Sequence, residues 1–170
     1  PNRVDPKAAY QVGYNTQLAS SRAVEEYRKL GLDGKIGIVL NLTPSYPRSE
    51  HPADVRAAEI ADTFFNKSYL DPAVFGKFPE ELVEILTKHN VLPEHTEEEL
   101  AVIKKNTVDF LGVNYYQPRR VKARDNMPNP DAPFFPEFYF DNYDMPGKVM
   151  NPHRCWEIFP KGIYDLAINI

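Results

Sequence analysis

Val108-Asp109-Phe110-Leu111-Gly112-Val113-Asn114-Tyr115-Tyr116 is the stretch whose reading decides the fold. It reads as a strand, and a strand sends successive side chains to opposite faces. Val108, Phe110, Asn114 and Tyr116 therefore share one side, and Asp109, Leu111, Val113 and Tyr115 the other. A second run, Lys35-Ile36-Gly37-Ile38-Val39-Leu40-Asn41-Leu42, lies between Asp33-Gly34 and Thr43-Pro44. So short an apolar, β-branched run reads as a strand covered on both faces.

Helical patterns surround the two strands. Val12, Thr16, Ala19, Ala23, Tyr27 and Leu30 recur at steps of three and four, which predicts one long helix with that stripe inward. Asp5-Pro6 opens it as N-cap and first-turn proline, and Gly31 closes it. Gly13 inside it calls for a close neighbour or a small kink. A second helix is predicted from Pro52 to Phe65, with Val55, Ala58, Ala61 and Phe65 on one stripe, and a third from near Pro79, with Leu82, Ile85 and Leu86 inward. Thr96-Glu97-Glu98-Glu99 is a capping box that opens a fourth. From Gln117 to Glu157 there is no helical or strand period, so 117–157 reads as one long loop, of a length that is often functional. Gly162 to Ile170 begins an apolar helix. The order helix, strand, helices, strand, loop, helix predicts parallel strands joined by helical crossovers. Two strands alone form no closed parallel layer.

The chain has 170 residues, 20 Lys+Arg against 24 Asp+Glu and a formal charge of −4, which argues against a nucleic-acid partner. No apolar run is long enough to cross a bilayer, so no membrane partner is expected. Cys155 is the single cysteine, which excludes an internal disulfide and points to a reducing, cytoplasmic setting. The chain opens on Pro1-Asn2-Arg3 and closes on Ile168-Asn169-Ile170 within an apolar pattern, so both ends are expected to be cuts.

Five segments occur in a recognisable order: 15–24 (Asn15 to Val24), 34–41 (Gly34 to Asn41), 71–79 (Asp71 to Pro79), 108–116 as quoted above, and 156–164 (Trp156-Glu157-Ile158-Phe159-Pro160-Lys161-Gly162-Ile163-Tyr164). Together they resemble family 1 glycoside hydrolases, most closely the bacterial 6-phospho-β-glucosidase branch. The resemblance implies an α/β fold, a partial (β/α)8 TIM barrel running from helix 4 through strands 5 and 6 into helix 6. All of 1–170 would then be one piece of a single barrel domain, with 117–157 a long loop on its C-terminal face. A whole barrel takes roughly 250 residues or more.

It also implies a retaining hydrolase with two glutamates, an acid/base and a nucleophile, roughly 5 to 5.5 Å apart. In the family these lie in Asn-Glu-Pro and Glu-Asn-Gly motifs at the ends of strands four and seven. Neither motif occurs here, so both are expected outside Pro1–Ile170, and the chain alone is expected to be inert. The phosphate-binding Ser/Lys/Tyr segment of the 6-phospho branch is likewise expected beyond the C-terminal end. Within the chain, the resemblance implies that Tyr116 bonds and orients the nucleophilic carboxylate and that Asn114 and Trp156 belong to the substrate cleft. A Tyr-Tyr pair also ends strands as simple packing; the five matches favour the site. Tyr14-Asn15 departs from the family's common His-Asn. The expected substrate of the parent is a phosphorylated β-glucoside, with no cofactor.

Other candidates fall away. His51, His89, His95, His153 and Cys155 are scattered without zinc spacing, so no metal is expected. Glu97, Glu98 and Glu99 complement a helix dipole rather than form a catalytic pair. Arg119, Arg120, Lys122 and Arg124 face either a phosphorylated sugar or, as favoured here, solvent at a loop edge. Phe134, Phe135, Phe138, Tyr139, Phe140, Tyr143 and Trp156 either stack against sugar rings in the cleft or, as favoured here for most of them, pack the long loop down onto the barrel rim. Asn41-Leu42-Thr43 and Asn66-Lys67-Ser68 match glycosylation acceptors by chance. The competing function is a non-catalytic carbohydrate-binding or scaffold module, separated from the enzyme reading by whether the two glutamate motifs flank the chain. Unpaired strand edges and apolar faces predict that the chain by itself self-associates.

Overall fold

A carboxylate and a proline begin the first helix. Asp5 accepts a hydrogen bond from the Ala8 N–H at 3.0 Å, and Pro6 takes the first helical position, where its missing N–H leaves nothing unpaired. The computed structural model describes residues 4–170; Pro1-Asn2-Arg3, read above as a cut end, lies outside the described residues. The elements are α1 (Pro6–Lys29), β1 (Gly37–Asn41), β2 (Ser45–Pro47), α2 (Pro52–Asp62), a π-turn (Thr63–Lys67), α3 (Ser68–Val74), α4 (Glu80–Lys88), α5 (Glu97–Lys105), β3 (Phe110–Asn114), β4 (Arg119–Ala123), a 3-10 turn (Pro136–Phe138), β5 (Phe140–Asn142) and α6 (Lys161–Asn169). They group into two compact units, one of residues up to Leu40 with 67–112 and 133–135, the other of 41–66, 113–132 and 136–170.

In the first unit, α1 packs against α3 and α5. Its buried residues are Tyr14, Gln17, Leu18, Ser21 and Val24, not the predicted stripe. Val12, Thr16, Ala19, Ala23 and Leu30 are exposed and Tyr27 is half-buried. The two stripes lie about 160° apart at 3.6 residues per turn. Apolarity picked the wrong side because the packed face carries Gln17, Ser21 and a tyrosine. Tyr14 donates to Glu99 at 3.2 Å. Burial first, and that carboxylate second, push its phenol up to about 12. Glu99 also closes the predicted capping box on α5: Thr96 Oγ accepts from the Glu99 N–H at 3.2 Å, and Glu99 accepts from the Thr96 N–H at 3.1 Å. Leu82, Ile85 and Leu86 are buried on α4, as their spacing predicts. Gly13 has its close neighbour in Tyr69, whose hydroxyl stands 3.7 Å from where a Cβ would lie.

β1 and β3 form a two-stranded sheet. The Asp109 N–H bonds Ile36 O at 2.8 Å and the Leu42 N–H bonds Asn114 O at 3.0 Å, so the partners advance together and the strands are parallel. The expectation of cover on both faces is corrected here. Val39 is 61 % and Phe110 53 % exposed, whereas the alternate side chains Ile38, Leu40, Leu111 and Val113 of the two strands are half-buried. Apolar side chains on both faces made each strand read as doubly covered, whereas the described residues pack more closely on one face of the pair.

The second unit is built on a sheet that the sequence reading missed, in the order β2-β4-β5. β2 and β4 are parallel, with Ser45 opposite Arg119, Tyr46 opposite Arg120 and Pro47 opposite Val121. β4 and β5 are antiparallel. The span 117–157 is therefore not without regular structure. Its strands are three and five residues long, and Arg119-Arg120-Val121-Lys122-Ala123 buries only Val121 fully, so no period shows. α2 packs across β2 and β4 through Ala57, Ala58, Ile60 and Ala61. The helix predicted to stop at Phe65 instead ends at Asp62 and passes into the π-turn. That turn aims Asn66 at the backbone of Thr43, donating to its carbonyl at 2.9 Å and accepting from its N–H at 3.0 Å.

Gly76 gives a local test of the first unit. Its φ is +70°, and an added Cβ would lie 2.7 Å from the carbonyl oxygen of Lys104. Gly76→Ala is expected to lower stability by about 1–3 kcal/mol, read as a lower midpoint in urea unfolding at unchanged slope.

Candidate functional site

Tyr116 follows the end of β3, and Trp156 stands on a turn that returns to it. Their ring centroids are 5.0 Å apart at an interplanar angle of 54°. Tyr115, Tyr116, Asn151, Trp156, Glu157, Ile158, Phe159 and Pro160 line a pocket of about 210 Å³. Tyr116 is 51 % exposed. Asn114, the third expected site residue, is the last residue of β3 and is exposed; it does not line this pocket, and its carbonyl serves the Leu42 N–H.

The turn under Trp156 is tightly specified. Met150 and Glu157 form an antiparallel bridge, the Asn151 N–H bonds Trp156 O at 2.7 Å, and the Ile158 N–H bonds Val149 O at 2.7 Å. Asn151 Oδ1 accepts from the N–H groups of His153 (2.9 Å) and Arg154 (3.1 Å). Cys155 completes the reversal at φ +55°. Its thiol is exposed and unbonded to another cysteine.

Glu157 is the residue that sequence reasoning missed. Its carboxylate meets Arg120 as a fork, Nε to Oε2 at 2.9 Å, Nε to Oε1 at 3.1 Å and Nη2 to Oε1 at 2.5 Å. The two side chains are 12 % and 9 % exposed. The Arg120 guanidinium also lies over the rings of Phe159 (4.9 Å) and Tyr46 (5.4 Å). The bond to Glu157 pushes the Arg120 pKa up. Tyr46 donates to Asp165 at 2.5 Å; burial, then that bond, holds its phenol well above the usual range. Tyr115 donates to Phe159 O at 2.7 Å and its phenol is raised first by burial and then by the Glu157 charge. Gly162 is required at this point, because a Cβ there would stand 2.1 Å from the Tyr115 hydroxyl.

The basic cluster does not form a phosphate cradle, nor is it a loop edge. Its residues belong to β4 and the turn after it, and each has an internal contact. Arg119 stacks on Phe65 at 3.6 Å, and burial lowers its pKa. Arg120 is taken by Glu157, Lys122 pairs with Asp125, and Arg124 donates to Glu137 O and Asn126 O (3.1 Å) and forms an ion pair with Asp141 (3.6 Å). Among the described residues no group of three His, Cys, Asp or Glu is placed to hold a metal ion, and no helix is long and apolar enough to cross a membrane.

Known proteins resemble this chain along its whole length. Residues 1–170 match the sequence profile of glycosyl hydrolase family 1. The chain is 65 % identical to the 6-phospho-beta-glucosidase GmuD of Bacillus subtilis over all 170 residues, 37 % of that protein. It is 35 % identical to beta-glucosidase A of Thermotoga maritima over 165 residues, 96 % of this chain and 34 % of that protein. Among solved structures it superposes on virulence factor SghA of Agrobacterium tumefaciens with a TM-score of 0.85 and 28 % identity, covering 100 % of this chain and 36 % of the other. A family 1 β-glucosidase of Thermotoga maritima gives a TM-score of 0.81 and 31 % identity, covering 99 % and 35 %. The resemblance to the 6-phospho-β-glucosidase branch thus holds along the whole chain, and the fold is a part of the TIM barrel of these relatives. The chain spans little more than a third of their length.

The strand that delivers Arg120 is itself held by Asp54, on the first turn of α2 and 1 % exposed. Its carboxylate accepts from Ser49 Oγ (2.7 Å), the Ala123 N–H (2.8 Å) and Arg48 Nε (3.1 Å). The Ser49 and Ala123 bonds, with Arg48 beside them, hold its pKa below the ordinary 3.8. A depressed pKa stabilises the fold above the unfolded value and loses that contribution as pH falls through the folded one. Far-UV circular dichroism is expected to show this part of the stability intact above about pH 4 and lost below it. Asp54→Asn is expected to cost about 1.5–3 kcal/mol at neutral pH and to flatten that acid limb.

Proposed function

Since the chain belongs to glycosyl hydrolase family 1, we propose that it forms one side of the substrate cleft in a retaining β-glycosidase for 6-phosphorylated β-glucosides, both catalytic glutamates lying outside these residues. The observation that carries the reading is the Tyr116–Trp156 pair at the mouth of a pocket just past the C-terminal end of a parallel strand. Barrel enzymes build their sites at that end. An exposed tyrosine hydroxyl there is free to donate to a carboxylate, keeping it ionised and oriented before attack. An indole beside it offers an apolar face to the C–H side of a pyranose. The 170 residues contain neither Asn-Glu-Pro nor Glu-Asn-Gly, which supports the chain's being inert by itself.

The 6-phosphate preference rests on the 65 % identity with the Bacillus subtilis enzyme, not on the basic cluster, whose side chains are engaged by internal carboxylates, carbonyls and a ring. Asn114 is assigned to the cleft as the neighbour of Tyr116 on the same strand face. A phosphorylated substrate also assigns the protein to the cytoplasm, where sugar phosphates are retained. The exposed Val39 and Phe110 support self-association of the chain when it is isolated.

In a full-length enzyme containing this chain, Tyr116→Phe is expected to lower kcat about 10- to 100-fold, the worth of one hydrogen bond to a charged group, with thermal unfolding unchanged. Assays with phosphorylated and plain aryl β-glucosides check both rate and preference. An unchanged rate removes Tyr116 from the mechanism. Faster hydrolysis of the plain glucoside removes the 6-phosphate.

A further inference from the structure

We propose that the Arg120–Glu157 fork is a positioning pair, which fixes Trp156 against Tyr116 and so sets the geometry in which a sugar is bound. The proposal rests on the reading of this pocket as substrate cleft. Neither residue need touch the reacting atoms.

Three observations converge on it. Glu157 directly follows Trp156 in sequence, so whatever anchors its side chain anchors the indole. The anchor reaches across 37 residues to Arg120, while the Glu157 N–H reaches Gln117 Oε1 at 3.4 Å, so the turn is tied twice to the segment that continues from Tyr116. The guanidinium is itself clamped between partners: the carboxylate at its edge, and the rings of Phe159 and Tyr46 at its face, with Tyr46 fixed by Asp165 and Asp165 by Lys161. An Arg fork on a carboxylate defines direction as well as distance, which a lysine does not. The indole itself leans on Tyr116, and the Trp156 carbonyl accepts from the Asn151 N–H.

Trp156 is the chain's single tryptophan, so its emission reads this turn alone. In a full-length enzyme containing this chain, without sugar, Glu157→Gln is expected to raise acrylamide quenching of the emission that Trp156→Phe removes at least about twofold, with the far-UV spectrum retained. Arg120→Lys, which keeps the charge and loses the fork, is expected to fall between. In a full-length enzyme the same variants are expected to raise KM about 5- to 20-fold and to lower kcat much less, and the exchanged pair Arg120→Glu with Glu157→Arg to recover part of the loss. Wild-type quenching in Glu157→Gln, or in Arg120→Lys should the first variant not fold, overturns the proposal. So does a raised quenching with an unchanged KM. Absence of β-glucoside hydrolysis by the wild-type parent would instead sink the functional reading, while the quenching result would still decide whether the fork positions Trp156.

Discussion

Parallel strands cannot be joined by a turn. The chain leaving β1 must travel back to the start of β3 before the two can pair, and 68 residues lie between Asn41 and Phe110 to make that journey (110 − 41 − 1). This constraint organises both units. The crossover holds α2, α3, α4 and α5, which supply half of the buried apolar side chains among the described residues. It also makes both strands release their chain in the same direction. The segments that follow, Ser45–Pro47 and Arg119–Ala123, then run side by side as β2 and β4, parallel in their turn. Tyr116 lies on the path from β3 to β4, which is why a site can form there.

Electrostatics finish what the topology begins. β4 brings three cations, at 119, 120 and 122, onto a strand of five residues, an arrangement that invites mutual repulsion. The second unit answers with carboxylates or rings on each: Phe65 under Arg119, Glu157 on Arg120, Asp125 on Lys122. Removing a fully enclosed carboxylate from such a set leaves a buried cation without a partner, and that loss usually exceeds what the intact pair contributes. The pocket beside β4 is lined by aromatic and apolar side chains together with Asn151, and its one charge is paired internally. In the proposed cleft, such a recess would take the uncharged part of a sugar and leave a phosphate to other residues.

What was legible in the sequence followed the range of the interaction. Helix starts are decided within four residues, and Asp5-Pro6 and the Thr96–Glu99 box were readable for that reason. The inward face of α1 was not, because a helix can bury Gln17 and Ser21 while exposing Val12 and Ala19, and only its neighbours choose. β4 and β5 escaped because a strand of three to five residues with one buried side chain has no measurable period. Tyr116 and Trp156 were singled out through family resemblance, with strand alternation adding that Tyr116 shares a face with Asn114. Glu157 lay in a quoted segment and still went unnoticed, since its meaning depends on a residue 37 positions away. No local rule predicts such a pair.

The turn that carries Trp156 shows how that long-range pair and local chemistry divide the work. A non-glycine residue in the left-handed region costs about 1–2 kcal/mol, and Cys155 sits there at φ +55°. Such a conformation persists only where its surroundings over-determine it. Asn151 does so from one side, accepting two backbone N–H groups with its side chain and one, from Cys155 itself at 3.0 Å, with its carbonyl. Glu157 does so from the other, through the bridge to Met150 and the fork to Arg120. The strained residue is adjacent to Trp156, so the same bonds that offset the strain leave the indole with little freedom of direction. A relaxed turn of the same length would hold Cys155 more cheaply and Trp156 less well; the placement of the ring against Tyr116 follows from keeping the strained one.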